Sequence, residues 1–115
     1  MVISQYRSRY PQLPLDDLIH HVALLGSTHV AQIFGLSTHK GSIAIGQDAD
    51  IAVLDPDQTW TIAESDLFSK CGWSAYTGRT TSCRVIATYL RGTPVYRDGQ
   101  IIGEPTGKLL RQASG

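Results

Sequence analysis

Residues 41–56 (GSIAIGQDADIAVLDP) place two short apolar runs on either side of a polar turn. The first run, residues 41–45, alternates isoleucine with small residues and predicts a strand, and the Gly-Gln-Asp sequence after it predicts a tight turn. The second run, residues 51–54, is apolar at every position, which is typical of a strand covered on both faces. The stretch therefore predicts a buried hairpin, which ends at Asp55-Pro56.

The part of the chain before this hairpin carries helical patterns. Residues 1–10 have the features of the last turns of a helix, with arginines at the end where the helix dipole favours cations. A second helix is predicted over residues 15–25, because apolar side chains recur there every three to four positions, and Gly26 is the expected stop. A short third helix is predicted over residues 30–34, closed by Gly35 in the left-handed conformation.

The part of the chain after Leu36 has the short apolar runs and turn residues of a sheet. Residues 85–90 form the strongest predicted strand, because they are rich in β-branched and aromatic side chains. Asp98-Gly99 predicts a type I′ hairpin turn. Further strands are predicted at residues 58–62, 94–97 and 100–102, one helical turn at 64–68 and a loop at 69–82.

Taken together, these patterns predict an α+β fold with helices first and strands after them. A sheet with two apolar faces needs more cover than two short helices provide, so the predicted architecture is incomplete. Trp60 and Tyr89 are the aromatic residues most expected in the core.

The composition excludes several classes of partner. Ten basic and ten acidic residues leave no basic excess for a nucleic acid or an anionic membrane. No apolar run approaches the ~18 residues of a membrane span, and the first residues lack the pattern of a signal peptide. Cys71 and Cys83 are too few for a disulfide framework and are expected as free thiols in the cytoplasm.

The four histidines do not have the spacing of a metal site. His20 and His21 are adjacent, so on a helix their side chains point about 100° apart. His29 and His39 have no cysteine or carboxylate at ligand spacing. The histidines are therefore expected on the surface or at the flank of the helices.

Asp48, Asp50 and Asp55 cluster around the predicted hairpin and have two interpretations. They could hold a cation, or they could stabilise turns, with Asp50 accepting a backbone N–H or pairing with a nearby base; we favour the second interpretation. Cys71 follows Lys70, which could lower the pKa of the thiol, but no histidine stands near it in the sequence to act as a base.

Residues 41–56 resemble the C-terminal segment of the amidohydrolase superfamily, which has the form Gly-x-Ile-x-x-Gly-x-Asp-Ala-Asp followed by an apolar run. Residues 69–79 (SKCGWSAYTGR), 84–92 (RVIATYLRG) and 103–107 (GEPTG) are similar to later segments of the same proteins. Together they resemble the cyclic amidohydrolases, dihydroorotase and allantoinase, and more distantly dihydropyrimidinase.

The resemblance implies a domain organisation. Residues 1–36 would be the last helices of a metal-bearing (β/α)₈ barrel, and residues 37–115 would be part of a small β-sandwich built from both chain ends. The metal ligands of that family belong to barrel strands upstream of the matching segment. The resemblance therefore assigns no catalytic, metal-binding or substrate-binding residue to this chain, although the whole family protein would hold zinc.

The implied activity is the hydrolytic opening of a cyclic amide. Dihydroorotase is the first expectation, on residues 70–73 (KCGW), and allantoinase is the alternative, on residues 76–79 (YTGR) and 103–105 (GEP). A non-catalytic module that packs on a partner chain is a further alternative. The expected partners are an upstream barrel segment or another copy of the chain in a homo-oligomer.

Overall fold

The computed structural model describes residues 2–111, and of Val2 only the backbone. The fold is a small α+β arrangement in which short helices precede an antiparallel sheet. The helical elements are α1 (Val2–Arg9), α2 (Leu15–Ala23), a π-helical turn (Leu24–Thr28), α3 (His29–Ile33) and a 3₁₀ turn (Glu64–Asp66). The strands are β1 (Ile51–Asp55), β2 (Trp60–Thr61), β3 (Thr80–Thr81), β4 (Arg84–Leu90), β5 (Thr93–Arg97) and β6 (Gln100–Ile101).

The helices largely follow the sequence prediction, with one correction. Gly26 does not stop the second helix, because the backbone continues through a π-helical turn directly into α3. A single glycine costs about 1 kcal/mol in a helix relative to alanine, which does not suffice to end it when both flanks are helical. Gly35 does close α3 with a positive φ of 64°, as predicted.

The main sheet has the strand order β1-β4-β5-β6, and β2 and β3 form a separate two-stranded sheet. All pairings are antiparallel, and the register of the β1–β4 pair places Val53 opposite Ala87. The strand at residues 85–90 is confirmed as β4. Asp98 and Gly99 have φ values of 49° and 87°, both positive, as the type I′ turn requires.

The hairpin predicted over residues 41–56 is wrong. Residues 41–45 form no strand, and β1 pairs with β4 instead. Ile43 and Ile45 are 88% and 107% exposed. A strand needs a partner for its backbone groups, and within residues 2–111 no segment pairs with residues 41–45. Two smaller corrections concern strand bounds. The strand predicted at residues 58–62 is limited to β2, and the loop predicted at residues 69–82 contains β3.

Hydrogen bonds connect the first helix to the strands. The hydroxyl of Ser4 lies 2.6 Å from that of Thr81 and accepts the backbone N–H of Ser82 at 2.8 Å. Arg7 donates to the carbonyl of Pro56 at 3.1 Å. These contacts hold α1 against β3 and the end of β1.

The core of the described residues is small. Its buried apolar side chains are Ile3, Leu18, Ala31 and Ala87, and its buried polar residue is Thr81. Trp60 and Tyr89, predicted as core members, are only half-buried. Their polar groups are satisfied within the chain, because the Trp60 indole donates to the carbonyl of Cys83 and the Tyr89 hydroxyl accepts from Arg97.

The chain exposes more surface than a complete domain of its size. Its accessible surface is 8621 Å², whereas a compact protein of 12.5 kDa exposes about 6,200 Å². Its radius of gyration is 15.9 Å, against about 13.3 Å for a compact chain of this length. The exposed surface includes large apolar side chains, among them Ile33, Ile43 and Ile45.

Candidate functional site

A cluster of charged side chains surrounds Lys40, in the loop between α3 and β1. The ammonium of Lys40 lies 2.7 Å from a carboxylate oxygen of Asp48 and also contacts the carboxylate of Asp50. The Lys40 side chain is only 13% exposed. We call these three residues the Lys40 cluster.

Asp50 also connects this cluster to the sheet. Its second carboxylate oxygen accepts the backbone N–H of Arg91 at 2.7 Å, in the turn between β4 and β5. Asp50 therefore both accepts a backbone N–H and pairs with a base, which confirms the turn-stabilising interpretation.

The electrostatics of the cluster keep Lys40 and Asp50 charged. Hydrogen bonds to Asp48 and to Asp50 raise the pKa of Lys40 above its ordinary value. The hydrogen bond from Lys40 lowers the pKa of Asp50, and the N–H of Arg91 lowers it further. Lys40 thus occupies one carboxylate oxygen of each aspartate, and the N–H of Arg91 occupies the second oxygen of Asp50.

Asp55 lies apart from the Lys40 cluster and stabilises a bend. Its carboxylate accepts the backbone N–H groups of Asp57 and Gln58 at 3.0 and 3.1 Å, immediately after β1. This is the geometry of an Asx turn, and it confirms the bend predicted at Pro56. The structure therefore does not bring the three aspartates together as a cation site.

The histidines and cysteines are placed as the sequence indicates. All four histidines are exposed. Among residues 2–111, no three or more His, Cys, Asp or Glu side chains are grouped so that they could hold a metal ion. Cys71 and Cys83 are free thiols. The hydroxyl of Ser69 lowers the pKa of the exposed Cys71, whereas burial raises the pKa of Cys83.

Two hollows on the surface of the described residues could be considered as binding sites. One, of about 190 Å³, adjoins the Lys40 cluster and is lined by Gly35, Leu36, Thr38, His39, Lys40, Asp48, Leu110 and Arg111. The other, of about 440 Å³, lies between α1 and α2 and is lined by Tyr6, Tyr10, Leu13, Asp17, Leu18 and His21.

Sequence reasoning missed the roles of Lys40 and Arg91. The available signal for Lys40 was its position one residue before the 41–56 stretch, where it is the nearest base to two aspartates. For Arg91 there was no comparable signal, because it donates through its backbone and lies 41 residues from Asp50. Only the pairing of β1 with β4 brings the two together.

The model of the amidohydrolase family matches residues 14–96 of the chain. The match covers the second helix, the Lys40 cluster and strands β1 to β5. The chain belongs to the amidohydrolase family. This assignment agrees with the resemblance carried by residues 41–56, although the first part of that stretch is not the predicted strand.

Individual relatives show which kinds of amidohydrolase the chain is similar to. An allantoinase of Desulfitobacterium hafniense is 44% identical over 90 residues, which are 78% of this chain and 20% of that protein. A dihydroorotase of Pyrococcus abyssi is 41% identical over 98 residues, which are 85% of this chain and 23% of that protein. The structure of a D-hydantoinase (dihydropyrimidinase) from a Thermus species superposes with a TM-score of 0.76 at 33% identity, covering 96% of this chain and 24% of that one.

The chain spans about a fifth to a quarter of the length of these relatives. The matches therefore concern one segment of a larger architecture. No helix in the described part of the chain is long and apolar enough to cross a membrane.

Proposed function

We propose that these residues are the C-terminal segment of a metal-dependent hydrolase that opens cyclic amides. The similarity to an allantoinase, a dihydroorotase and a hydantoinase carries the proposal, because all three names describe enzymes that act on ring amides. The role of the segment itself is structural: it supplies strands and helices that complete a larger fold.

The domain assignment is part of this proposal. Residues 1–36 correspond to the last helices of a (β/α)₈ barrel, and residues 37–115 to part of a β-sandwich beside it. The helices come first and the antiparallel strands second, which is the order that this division requires. The surface of 8621 Å² supports the proposal, because it exceeds that of a compact chain by more than the roughly 800 Å² that each partner buries in a standard interface.

The catalytic metal belongs to other parts of such an enzyme. The amidohydrolase family is generally metal-dependent, and zinc is the metal that we propose. Residues 2–111 do not fit as its site, since they bring together no suitable group of ligands. No step of the reaction is therefore assigned to the described residues.

The substrate is a small ring with an amide bond, and dihydroorotate and allantoin are the two candidates. The identities of 44% to an allantoinase and 41% to a dihydroorotase differ too little to choose between them. The test is to load the longest protein that contains these residues with zinc and to measure the hydrolysis of dihydroorotate and of allantoin. Turnover of at least one ring is expected, and turnover of neither would contradict the enzymatic proposal and favour a non-catalytic assembly module.

The 115-residue chain alone is a matched negative control for that assay. Incubated with zinc and either ring, it is expected to give no turnover above background. Turnover by the chain alone would overturn the assignment of catalysis to other segments.

The structural role is tested by Ile45→Asp, because Ile45 is fully exposed here and would be covered in the complete fold. Burying an unpaired carboxylate there is expected to lower the free energy of unfolding by about 2–5 kcal/mol. Ser42→Asp, at an exposed position in the same segment, is the control and is expected to have little effect. If the two substitutions have equal effects in the longer protein, the face at Ile45 is not covered.

A further inference from the structure

The last described residues, 103–111, run back from β6 across the turn between β4 and β5. Arg91 donates from its guanidinium to the carbonyl of Thr106 at 2.6 Å. Leu110 and Arg111 then reach the hollow of about 190 Å³ beside the Lys40 cluster. We call residues 103–111 the strap.

Arg91 holds two parts of the chain at once. Its backbone N–H donates to Asp50, while its guanidinium donates to the strap. Arg91 has a positive φ of 49°, and the next residue, Gly92, donates its N–H to the carbonyl of Ala49 at 2.9 Å. These backbone bonds orient the turn, so the direction of the Arg91 side chain depends on the segment that contains Asp50.

The charges near Arg91 are balanced only while Lys40 is in place. Lys40 offsets one of the two negative charges on Asp48 and Asp50, and the positive charge of Arg91 already acts on Asp50. A carboxylate is a stronger partner for a guanidinium than a neutral carbonyl, because both groups of the pair are charged. Two carboxylates without Lys40 would therefore compete with Thr106 for the guanidinium.

We propose that Arg91 is a latch controlled by Lys40. While Lys40 binds both carboxylates, the Arg91 guanidinium holds the strap over the hollow. When Lys40 is removed or displaced, the guanidinium turns to the carboxylates and the strap is released. This device is independent of the ring chemistry proposed above, because it needs only the contacts among the described residues.

The test uses cleavage by a lysine-specific protease after Lys108, which lies within the strap. Mass spectrometry follows the rate at which the peptide of residues 109–115 appears. Cleavage is kept slow relative to reclosing of the strap, so that this rate reports the population in which the strap is released. Lys40→Gln is expected to raise the rate about five- to tenfold, as the loss of one charge-assisted hydrogen bond implies.

Arg91→Gly is the direct test of the latch. Glycine accepts the positive φ and keeps the N–H bond to Asp50, so this substitution deletes the side chain with its guanidinium and leaves the backbone contact in place. It is expected to raise the cleavage rate by a similar factor. Arg97→Gln removes a guanidinium that donates to Tyr89 instead of the strap, and is expected to leave the rate unchanged. A wild-type rate in Arg91→Gly would overturn the proposal.

Asp50→Asn distinguishes charge competition from general loosening of the structure. It removes the competing charge, leaves Lys40 paired with Asp48, and keeps an amide oxygen to accept the Arg91 N–H. Its cleavage rate is expected to stay within about twofold of wild type, because a neutral amide competes no better than Thr106 for the guanidinium. If Lys40→Gln and Asp50→Asn raise the rate equally, the strap is released by loosening and the latch is refuted.

Discussion

Gly41 lies close against α3, and its replacement by alanine provides a quantitative test of the packing. Gly41 has a positive φ of 94°, and a Cβ placed there would lie 2.5 Å from the Cβ of Ala31 in α3. It would also lie 3.2 Å from the carbonyl oxygen of Ser27. Ala31 is buried, at 5% exposure, and cannot move away without displacing the helix.

The expected loss has two separable parts. An alanine at this φ costs about 1–3 kcal/mol in backbone strain. Forcing two methyl groups into the space of one adds about 1–3 kcal/mol of overpacking. Gly41→Ala should therefore lower the free energy of unfolding by about 2–6 kcal/mol. Gly46→Ala is the matched control, because Gly46 has a similar φ of 90° but no atom within 4 Å of the place that a methyl group would occupy.

The assay is urea unfolding of the protein, with the midpoint compared at constant slope. Gly41→Ala is expected to lose about 1–3 kcal/mol more than Gly46→Ala. Adding Ala31→Gly to Gly41→Ala removes the 2.5 Å contact but not the contact with Ser27. It should therefore recover part of that difference, and the double-mutant cycle should show a favourable coupling between positions 31 and 41. Equal losses for the two single variants, with no coupling to Ala31, would refute the close packing.

Three further predictions concern the ionisable groups. Lys40 lowers the pKa of Asp50 below 3.8, so the stability from this carboxylate is present above that pH and is lost as the pH falls through the lower folded pKa. Asp50→Asn should therefore reduce the acid-induced fall in the free energy of unfolding, measured by urea titration. Asp48 and Asp50 raise the pKa of Lys40 above 10.5, so the stability from this ammonium should be present below that pH and be lost as the pH rises through the folded pKa. Lys40→Gln should therefore reduce the fall in the free energy of unfolding at alkaline pH, measured in the same way. Iodoacetamide should modify Cys71 faster than Cys83, and Ser69→Ala should slow the reaction at Cys71. Peptide mass spectrometry measures both rates, and equal rates at the two thiols would contradict the opposite pKa shifts.

The elements that the sequence predicted correctly depend on interactions between near neighbours. Gly35 closes α3 and Asp98-Gly99 turns the chain because their backbone conformations are local properties of those residues. The strand at residues 85–90 follows from its β-branched and aromatic content. The Asx turn at Asp55 likewise involves only the next three residues.

The wrong predictions concern strand pairing, burial and helix continuation, which residues beyond each local motif decide. Residues 41–45 have the pattern of a strand, but a strand forms only where another segment satisfies its backbone. Trp60 and Tyr89 have the size of core residues, but the described chain does not supply enough cover to bury them. Gly26 has the character of a helix stop, but packing and hydrogen bonds on both flanks continue the helix.

The sequence by itself determined the family, the order of helices and strands, and the turn-stabilising chemistry of Asp50 and Asp55. It could do so because motifs, local turns and short-range periodicity are written in consecutive residues. Only the tertiary structure decided that β1 pairs with β4, and that Lys40, Asp50 and Arg91 meet in one place. The physical reason is that pairing between distant strands sets which side chains become neighbours, and that choice depends on the burial and hydrogen bonding of the whole fold.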